Sequence, residues 1–339
     1  GTPWRDRMPG RPVDASPRPA SWTPQRDCCS ARMRAIASIT SGGAPAAASA
    51  IGSGRTSSVA RTSAAAVNSP RVPLLLVHGN PQNHTCWYKV AAKLAQTYHV
   101  ILPDLRGYGD SSLPEPGADH INFSFRSMAG DLLEIMDQFG YDTFFVAGHD
   151  RGGRTVHRLC IDHAQRIRKV CLMDIIPNHY VWTNPTKAWV IGTWHWAFMA
   201  QPEPFPERMI SAVPAEYFLK NRMIIRGGTG LGFLTDEAMA EYIRCYTLKT
   251  ITGSCRDYRA TAGIDFEMDT ADKDKKLNRP LMLLWGARGH SPQRAAEFLN
   301  IWRQYASNIQ RSDPLNCGHY MQEEMPDRIY EHFREFFVA

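Results

Sequence analysis

The sequence lacks any apolar run that approaches the 18 or so residues needed to cross a bilayer as a helix. Its start also lacks the apolar core and small-residue cleavage pattern of a secretory signal. These absences predict a protein that is neither membrane-spanning nor secreted. Eight cysteines occur in 339 residues, and only Cys28 and Cys29 are adjacent. Without a secretory segment we expect free thiols in a reducing compartment rather than a disulfide framework.

Lysine is absent from the first 71 residues, which contain ten arginines and three aspartates. This stretch therefore carries a net charge of +7, whereas the rest has 29 basic and 30 acidic residues, a net charge of −1. A nearly neutral body argues against a nucleic-acid-binding surface. We expect neither nucleic acid nor a membrane as partner.

Residues 1–70 have almost no large aliphatic side chains and are rich in Ala, Ser, Arg, Pro and Gly. This composition predicts a disordered, low-complexity leader, because such a chain cannot bury enough apolar surface to fold. An Arg- and Ser-rich, acid-poor segment is typical of an organellar transit peptide, and a misjoined leader is the alternative. We expect a cytoplasmic protein, or an organellar one if the leader is authentic.

From residue 71 onward, apolar β-rich segments alternate with helical patterns. The predicted strands cover 72–77, 99–103, 143–147, 169–173, 281–285 and 308–313. The predicted helices cover 87–96, 127–139, 152–163, 293–305 and 326–337. Such alternation predicts an α/β fold, a mostly parallel sheet flanked by helices. Residues 71–177 and 277–339 form this core, and the aromatic-rich, helical segment 178–276 is predicted to be an inserted cap over the strand ends.

The most informative segment is 144–153, an apolar strand that runs into Gly148-His149-Asp150-Arg151-Gly152 and then into a helix. This is the pattern of a nucleophile elbow, with Asp150 where esterases carry serine. A carboxylate is ionised at pH 7 without a helper base. It can attack the sp³ carbon of a carbon–halogen bond or an epoxide, which leaves an ester to be hydrolysed. The alternative is an aspartate that only caps the following helix.

Hydrolysis of that ester requires a general base for water and an acid that orients the base. His319 lies in a predicted loop between the last strand and the last helix, where this chain order places a catalytic histidine. Asp174 closes a predicted strand on the same sheet edge as Asp150, whereas the strand after the cap is followed by no acid. We therefore predict Asp174 as the partner of His319, a turn aspartate being the alternative.

Three further residues complete the predicted site. The backbone N–H groups of Asn80, after the first strand, and of Arg151 are predicted to form an oxyanion hole. Arg151 and Arg154 lie on one face of the helix after Asp150. Two carboxylates about 4 Å apart repel by roughly 4 kcal/mol at an effective dielectric near 20, and two guanidinium groups could offset this and clamp a carboxylate substrate. Surface arginines at a helix start are the alternative.

No cofactor is predicted, because no Cys/His cluster has metal-ligand spacing and the glycines at 228, 230 and 232 follow no strand. We also predict no metal site.

With these residues in place, residues 72–339 resemble the haloacetate dehalogenases of the α/β-hydrolase superfamily, which include fluoroacetate dehalogenases. The matching motifs are His78-Gly79-x-Pro81-Gln82, Asp104-Leu105-Arg106-Gly107-Tyr108-Gly109-x-Ser111-Ser112, Gly148-His149-Asp150-Arg151-Gly152-Gly153-Arg154, Asp174-Ile175-Ile176-Pro177, His195-Trp196, Asp257-Tyr258-Arg259-Ala260, Asp265-Phe266-Glu267 and Gly318-His319.

The resemblance implies an α/β-hydrolase fold with an inserted helical cap, a small haloacid substrate and a homodimer. It implies that Asp150 attacks the α-carbon, that Asp174 and His319 activate water, and that Arg151 and Arg154 bind the substrate carboxylate. It further implies that three cap residues bind the departing halide. These are His195, Trp196 and Tyr258, for which cap packing is the alternative role.

The chain departs from the family pattern in two places. Asn80 stands where many members carry phenylalanine, and the β-hairpin that normally precedes the first His-Gly strand is not recognisable. The rival functions are an epoxide hydrolase with the same Asp/His machinery and a non-catalytic protein of the same fold. Arg151 and Arg154 disfavour the neutral substrates of epoxide hydrolases and haloalkane dehalogenases.

Overall fold

The computed structural model describes residues 36–39, 71–227, 230–288 and 292–338. For residues 36–39, 225–227 and 292–296 the structure describes the backbone only. Most of the leader 1–70, and with it most of the prediction made for it, lies outside the described residues.

A seven-stranded sheet forms the centre of the described chain, with the strand order β1-β3-β2-β4-β5-β6-β7. The strands are β1 (Ile36–Ile39), β2 (Pro73–Val77), β3 (His99–Pro103), β4 (Phe144–His149), β5 (Ile167–Met173), β6 (Leu281–Gly286) and β7 (Ile309–Leu315). All neighbours from β3 to β7 pair in parallel, and every residue of β2, β4 and β6 is buried. Continuous apolar strands of this kind belong to a parallel sheet that is covered on both faces. The predicted α/β-hydrolase fold is confirmed.

Helices connect these strands and fill the segment after β5. The helices of the two flanks are α1 (Tyr88–Leu94), α2 (Phe125–Gln138), α3 (Arg151–Asp162), α12 (Pro292–Tyr305), α13 (Met321–Glu324) and α14 (Pro326–Phe336). Between β5 and β6 lie α4 (Asn178–Thr183), α5 (Lys187–Gly192), α6 (His195–Met199), α7 (Phe205–Ser211), α8 (Ala215–Gly227), α9 (Asp236–Cys245), α10 (Leu248–Ala262) and α11 (Ile264–Ala271). Short 3-10 turns occur at His84–Trp87, Ala118–Phe123 and Ala164–Arg166.

Strand β1 departs from the prediction that residues 1–70 contain no regular structure. Ile36–Ile39 pairs antiparallel with β3 at the edge of the sheet. The sequence Ile-Ala-Ser-Ile has an apolar, β-branched residue at each end, and pairing satisfies backbone groups of the exposed edge of β3. The prediction missed this strand because it was based on the composition of the whole segment, to which four residues contribute little.

The start of α2 shows how a local cap sets a boundary. The Ser124 side chain accepts a hydrogen bond from the backbone N–H of Ser127, so α2 begins at Phe125, two residues before the predicted start. An N-cap serine satisfies one of the otherwise unpaired amides of the first turn. The boundary therefore follows from the cap rather than from the apolar period.

None of the helices that the structure describes has the length and apolar character needed to cross a membrane. The six cysteines in the described part of the chain are free and buried, as expected. They are Cys86, Cys160, Cys171, Cys245, Cys255 and Cys317.

Candidate active site

The turn between β4 and α3 holds Asp150 in a strained conformation. Its φ is 49°, in a region that side chains other than glycine rarely adopt. Asp150 occupies the N-cap position of α3, yet its side chain makes no capping hydrogen bond. Its Oδ1 instead accepts the backbone N–H of Asn80 at 2.9 Å. This geometry does not fit an aspartate that only caps the helix. It favours a carboxylate that is positioned as a nucleophile at the end of the strand.

Glycines around Asp150 are required by close approach of the backbone. A Cβ on Gly79 would lie 2.4 Å from the Cβ of Asp150, and a Cβ on Gly152 would lie 2.3 Å from the carbonyl oxygen of His78. No side chain fits either place. The two loops that carry the predicted oxyanion donors can therefore approach each other only with glycine at these positions.

Asp174 follows β5 at the same edge of the sheet and is also strained, with a φ of 52°. Its Oδ1 accepts the backbone N–H of Gly286 at 2.9 Å. Its Oδ2 makes a short hydrogen bond with the Nδ1 of His319. The Nε2 of His319 lies 3.4 Å from the Oδ2 of Asp150. The structure thus brings the three predicted catalytic residues together in the order carboxylate, imidazole, carboxylate.

Asp150 and Asp174 are two of the four described residues other than glycine that have a positive φ. Among the described residues other than glycine, positive φ values occur only at Asp119, His120, Asp150 and Asp174. Asp150 and Asp174 both directly follow buried parallel strands. Strain of this kind is retained where the surrounding structure holds a functional group in place.

The Asn80 side chain has a different partner, since its Nδ2 donates to the Oγ of Ser254 at 3.2 Å. The backbone N–H of Asn80 donates to the Oδ1 of Asp150. The predicted use of this N–H as an oxyanion donor is consistent with that contact. The corresponding role of the Arg151 N–H stays a prediction.

Arg151 is fully buried rather than exposed at a helix start. Its Nε donates to the Oδ2 of Asp257 at 2.8 Å, and its Nη2 makes short hydrogen bonds to Asp257 and Thr261. Burial lowers the pKa of Arg151, but the charge and hydrogen bonds of Asp257 outweigh this and raise the pKa above its ordinary value. The Nη1 has no hydrogen-bond partner among the residues that the structure describes. The N–H groups of Nη1 are therefore available to a ligand, whereas those of Nε and Nη2 are already used within the protein.

Arg154 is also buried, but it has no ion pair within the described part of the chain. Its Nη1 donates to the carbonyl of Ile176 at 2.8 Å, and its Nε has no partner there. Burial and the neighbouring Arg151 charge lower the pKa of Arg154 from 12.5 to about 10. A buried cation without a counterion is costly unless a ligand supplies the missing charge.

Of the three residues implied to bind halide, Trp196 and Tyr258 lie against these arginines, and His195 contacts Tyr258. The guanidinium carbon of Arg151 lies 4.4 Å from the ring centroid of Tyr258, and that of Arg154 lies 4.5 Å from the ring centroid of Trp196. The ring of Tyr258 contacts those of His195 and Trp196 edge-on, with centroids 5.5 and 5.7 Å apart. The Tyr258 hydroxyl is buried and has no hydrogen-bond partner among the described residues. Burial and the Asp150 charge raise the pKa of Tyr258 to about 12, so this hydroxyl keeps its proton.

The sequence analysis assigned no role to Asp257, which holds Arg151. Asp257 is completely buried and also accepts a hydrogen bond of 2.7 Å from the hydroxyl of Tyr108. Asp257 and Thr261 lie one turn apart in α10, so they share a helix face. That i, i+4 spacing was the available signal, although it did not reveal a partner 106 residues away.

One group of potential metal ligands occurs in the described part of the chain, namely Asp110, Glu241 and Cys245. Arg244 donates to the carboxylates of Asp110 and Glu241 at 2.7 Å. This group therefore belongs to an ion-pair network near the surface.

Comparison with known proteins shows the family of this chain. Residues 72–207 match the family model of the α/β hydrolase fold. A fluoroacetate dehalogenase from Burkholderia sp. is 39% identical over 266 residues, which cover 78% of this chain and 86% of that protein. The chain belongs to the haloacetate dehalogenase family of the α/β-hydrolase superfamily.

Two other proteins place this family membership in context. A soluble epoxide hydrolase from Corynebacterium sp. strain C12 is 29% identical over 268 residues, covering 78% of this chain and 90% of that protein. A crystal structure of an α/β hydrolase from Nostoc sp. PCC 7120 has a TM-score of 0.75 and 41% identity, covering 79% of this chain and 91% of that chain. The protein is a hydrolase, and its relatives include both dehalogenases and epoxide hydrolases.

Proposed function

We propose that this protein hydrolyses a haloacetate to glycolate and halide. The observation that carries the proposal is the pair of buried arginines beside a carboxylate nucleophile. Arg151 Nη1 and Arg154 Nε are buried donors without a partner among the described residues. A substrate carboxylate would supply two acceptors and the missing negative charge.

The first chemical step is displacement at carbon. Because Asn80 holds Oδ1 of Asp150, the attacking atom in this proposal is Oδ2. A new bond forms between Oδ2 and the α-carbon, and the carbon–halogen bond breaks with its electron pair leaving as halide. His195, Trp196 and Tyr258 would stabilise the departing anion through N–H and O–H donors.

The second step is hydrolysis of the resulting ester. The Nε2 of His319 takes a proton from water, whose oxygen attacks the ester carbonyl carbon of Asp150. The oxyanion that forms at Oδ1 is stabilised by the Asn80 N–H. Collapse of this intermediate breaks the bond between the Asp150 carboxyl carbon and Oδ2, and the departing oxygen takes the proton from His319, which gives glycolate. The carboxylic acid left on Asp150, which contains the oxygen of water, loses its proton to solvent and restores the carboxylate. Asp174 orients His319 and stabilises its positive charge.

Epoxide hydrolysis is the second candidate. The hydroxyls of Tyr246 and Tyr258 are both buried and have no hydrogen-bond partner within the described part of the chain. Two such phenols could donate to an epoxide oxygen while Asp150 attacks the ring carbon. A neutral epoxide supplies no negative charge to the two unsatisfied arginine edges, which favours the haloacetate.

The test uses fluoroacetate and chloroacetate, with chloroacetamide as the neutral isostere and styrene oxide for the second candidate. Halide release from the acids at a far higher rate than from the amide is the expected result. Asp150→Asn, which keeps the shape of the side chain, is the control for background hydrolysis. Diol formation from styrene oxide without halide release would move the assignment to epoxide hydrolysis. Failure of all four substrates with cooperatively folded protein would refute both.

A further inference from the structure

A chain of buried polar side chains lies behind His319 and takes no part in the proposed chemistry. His149 Nε2 lies 2.8 Å from the backbone carbonyl oxygen of His319. Gln322 Nε2 lies 3.4 Å from His149 Nδ1 and 3.2 Å from the Oε1 of Gln82. Gln82 Nε2 makes a short hydrogen bond with Glu323, which also accepts the hydroxyl of Tyr242 at 2.8 Å. All five side chains are buried.

The direction of these hydrogen bonds follows from the chemistry of the groups. Burial, together with the nearby charge of His319, lowers the pKa of His149 to about 3, so its ring is neutral and carries one N–H. A carbonyl oxygen can only accept a hydrogen bond. The proton of His149 is therefore on Nε2, which donates to the backbone carbonyl oxygen of His319. Its Nδ1 then accepts from the amide of Gln322.

The network joins four parts of the chain, three of which lie next to site residues in the sequence. Gln82 lies two residues after Asn80, and His149 immediately precedes Asp150. Gln322 lies in α13, three residues after His319. Tyr242 belongs to α9, between β5 and β6. The rings of His149 and His319 are also in contact, with centroids 4.5 Å apart. His319 is thus held through its side chain by Asp174 and through its backbone by His149.

We propose that His149, oriented by Gln322, is a positioning residue that holds His319 for the hydrolysis of the covalent ester. The inference rests on the proposed two-step function, although it applies equally to an ester formed from an epoxide. Attack by Asp150 on carbon requires no base, whereas activation of water requires Nε2 of His319 at the correct place. Loss of the His149 hydrogen bond should therefore slow the second step much more than the first.

A matched pair of variants isolates this hydrogen bond. His149→Phe keeps a flat ring of similar size but removes both nitrogens. His149→Gln keeps a donor for the His319 carbonyl and an acceptor for Gln322. With chloroacetate, rapid quenching and intact-protein mass measurement give the rates at which the Asp150 ester forms and disappears. In His149→Phe, we expect ester hydrolysis to fall by about 10- to 100-fold and alkylation to change by less than about threefold. His149→Gln should recover most of the loss.

An equal fall of both rates in His149→Phe, or unchanged hydrolysis, would overturn the proposal. Gln322→Met removes the second bond of the chain at a greater distance from Asp150, and it is compared in the same way if His149→Phe does not fold. A second readout needs no substrate, namely the downfield proton resonance of the His319–Asp174 hydrogen bond. This resonance should shift or broaden in His149→Phe and persist in His149→Gln.

An unchanged resonance in His149→Phe would refute positioning even if no substrate is turned over. Absence of turnover by the wild-type protein would refute the proposed function instead, so the two failures are distinguishable.

Discussion

Replacement of Arg154 by methionine is expected to stabilise the protein while abolishing its preference for acids. Methionine keeps the unbranched stem and removes the guanidinium. In the structure this group is buried and makes no ion pair with the described carboxylates, although its Nη1 donates to Ile176 and its carbon lies over the ring of Trp196. The side chain therefore carries an electrostatic cost in the free protein.

The expected stability change follows from two opposing contributions. A pKa lowered from 12.5 to about 10 corresponds to about 3 kcal/mol of destabilisation of the charged form at pH 7. Loss of the hydrogen bond to Ile176 and of the contact with Trp196 offsets about 2 kcal/mol of the gain. Arg154→Met should therefore raise the free energy of unfolding by about 1 kcal/mol.

The effect on activity has the opposite sign. A guanidinium about 4 Å from a carboxylate contributes roughly 4 kcal/mol at an effective dielectric near 20, which corresponds to about a thousandfold. We expect kcat/KM for chloroacetate to fall by about that factor in Arg154→Met. Chloroacetamide carries no charge, and its kcat/KM should change by less than about tenfold.

Arg158 provides a matched control one turn further along α3. It is buried as well, but it forms ion pairs with Asp162 and Asp272. Arg158→Met removes one of the cations that pair with these carboxylates, both of which Arg126 still contacts, and should lower the free energy of unfolding by about 2 kcal/mol. The ratio of chloroacetate to chloroacetamide turnover should not change in this variant.

The assay combines urea unfolding with initial rates on the two substrates. If Arg154→Met destabilises the fold as Arg158→Met does, the electrostatic reasoning is wrong. An equal fall of kcat/KM for acid and amide would likewise show that Arg154 does not recognise the substrate carboxylate.

Three further outcomes are expected. His319→Asn should be alkylated once on Asp150 and then trapped, and intact-protein mass should show a stable carboxymethyl adduct; continued turnover would exclude His319 as the base. Burial raises the pKa of Glu323 from 4.5 to about 8. Between pH 4.5 and 8 the folded protein therefore keeps a proton that the unfolded chain loses, and the free energy of unfolding should fall by on the order of 5 kcal/mol as pH rises through this range. Urea unfolding at pH 4.5 and pH 8 should show this decrease in the wild-type protein and not in Glu323→Gln. Gly152→Ala should lower the free energy of unfolding by about 3 kcal/mol or more, because the new Cβ would lie 2.3 Å from a backbone carbonyl oxygen. Gly130→Ala has open space around the new Cβ and should raise the free energy of unfolding by up to about 1 kcal/mol. Equal melting temperatures of the two variants would contradict the close approach at Gly152.

Much of the fold was predictable because its signals are local. The apolar strands and the periodic helices between them are readable within windows of a few residues, and parallel strands joined by helices place their carboxyl ends along one edge. Asp150, Asp174 and His319 each follow a predicted strand, so their meeting could be inferred. The edge strand β1 was missed, since four residues in a low-complexity segment carry too little pattern.

Residue spacing and the positions that only glycine can occupy predict the parallel sheet, the nucleophile turn and the types of catalytic group, so these features could be read from the amino-acid sequence. The difference between the two arginines depends on contacts between distant parts of the chain. Asp257 accepts hydrogen bonds from Arg151 across 106 residues, whereas Arg154 donates to the carbonyl of Ile176 and has no ion pair among the described residues. Likewise, His149 contacts the backbone of His319 across 170 residues. These contacts depend on burial and distance in three dimensions, which no local pattern records.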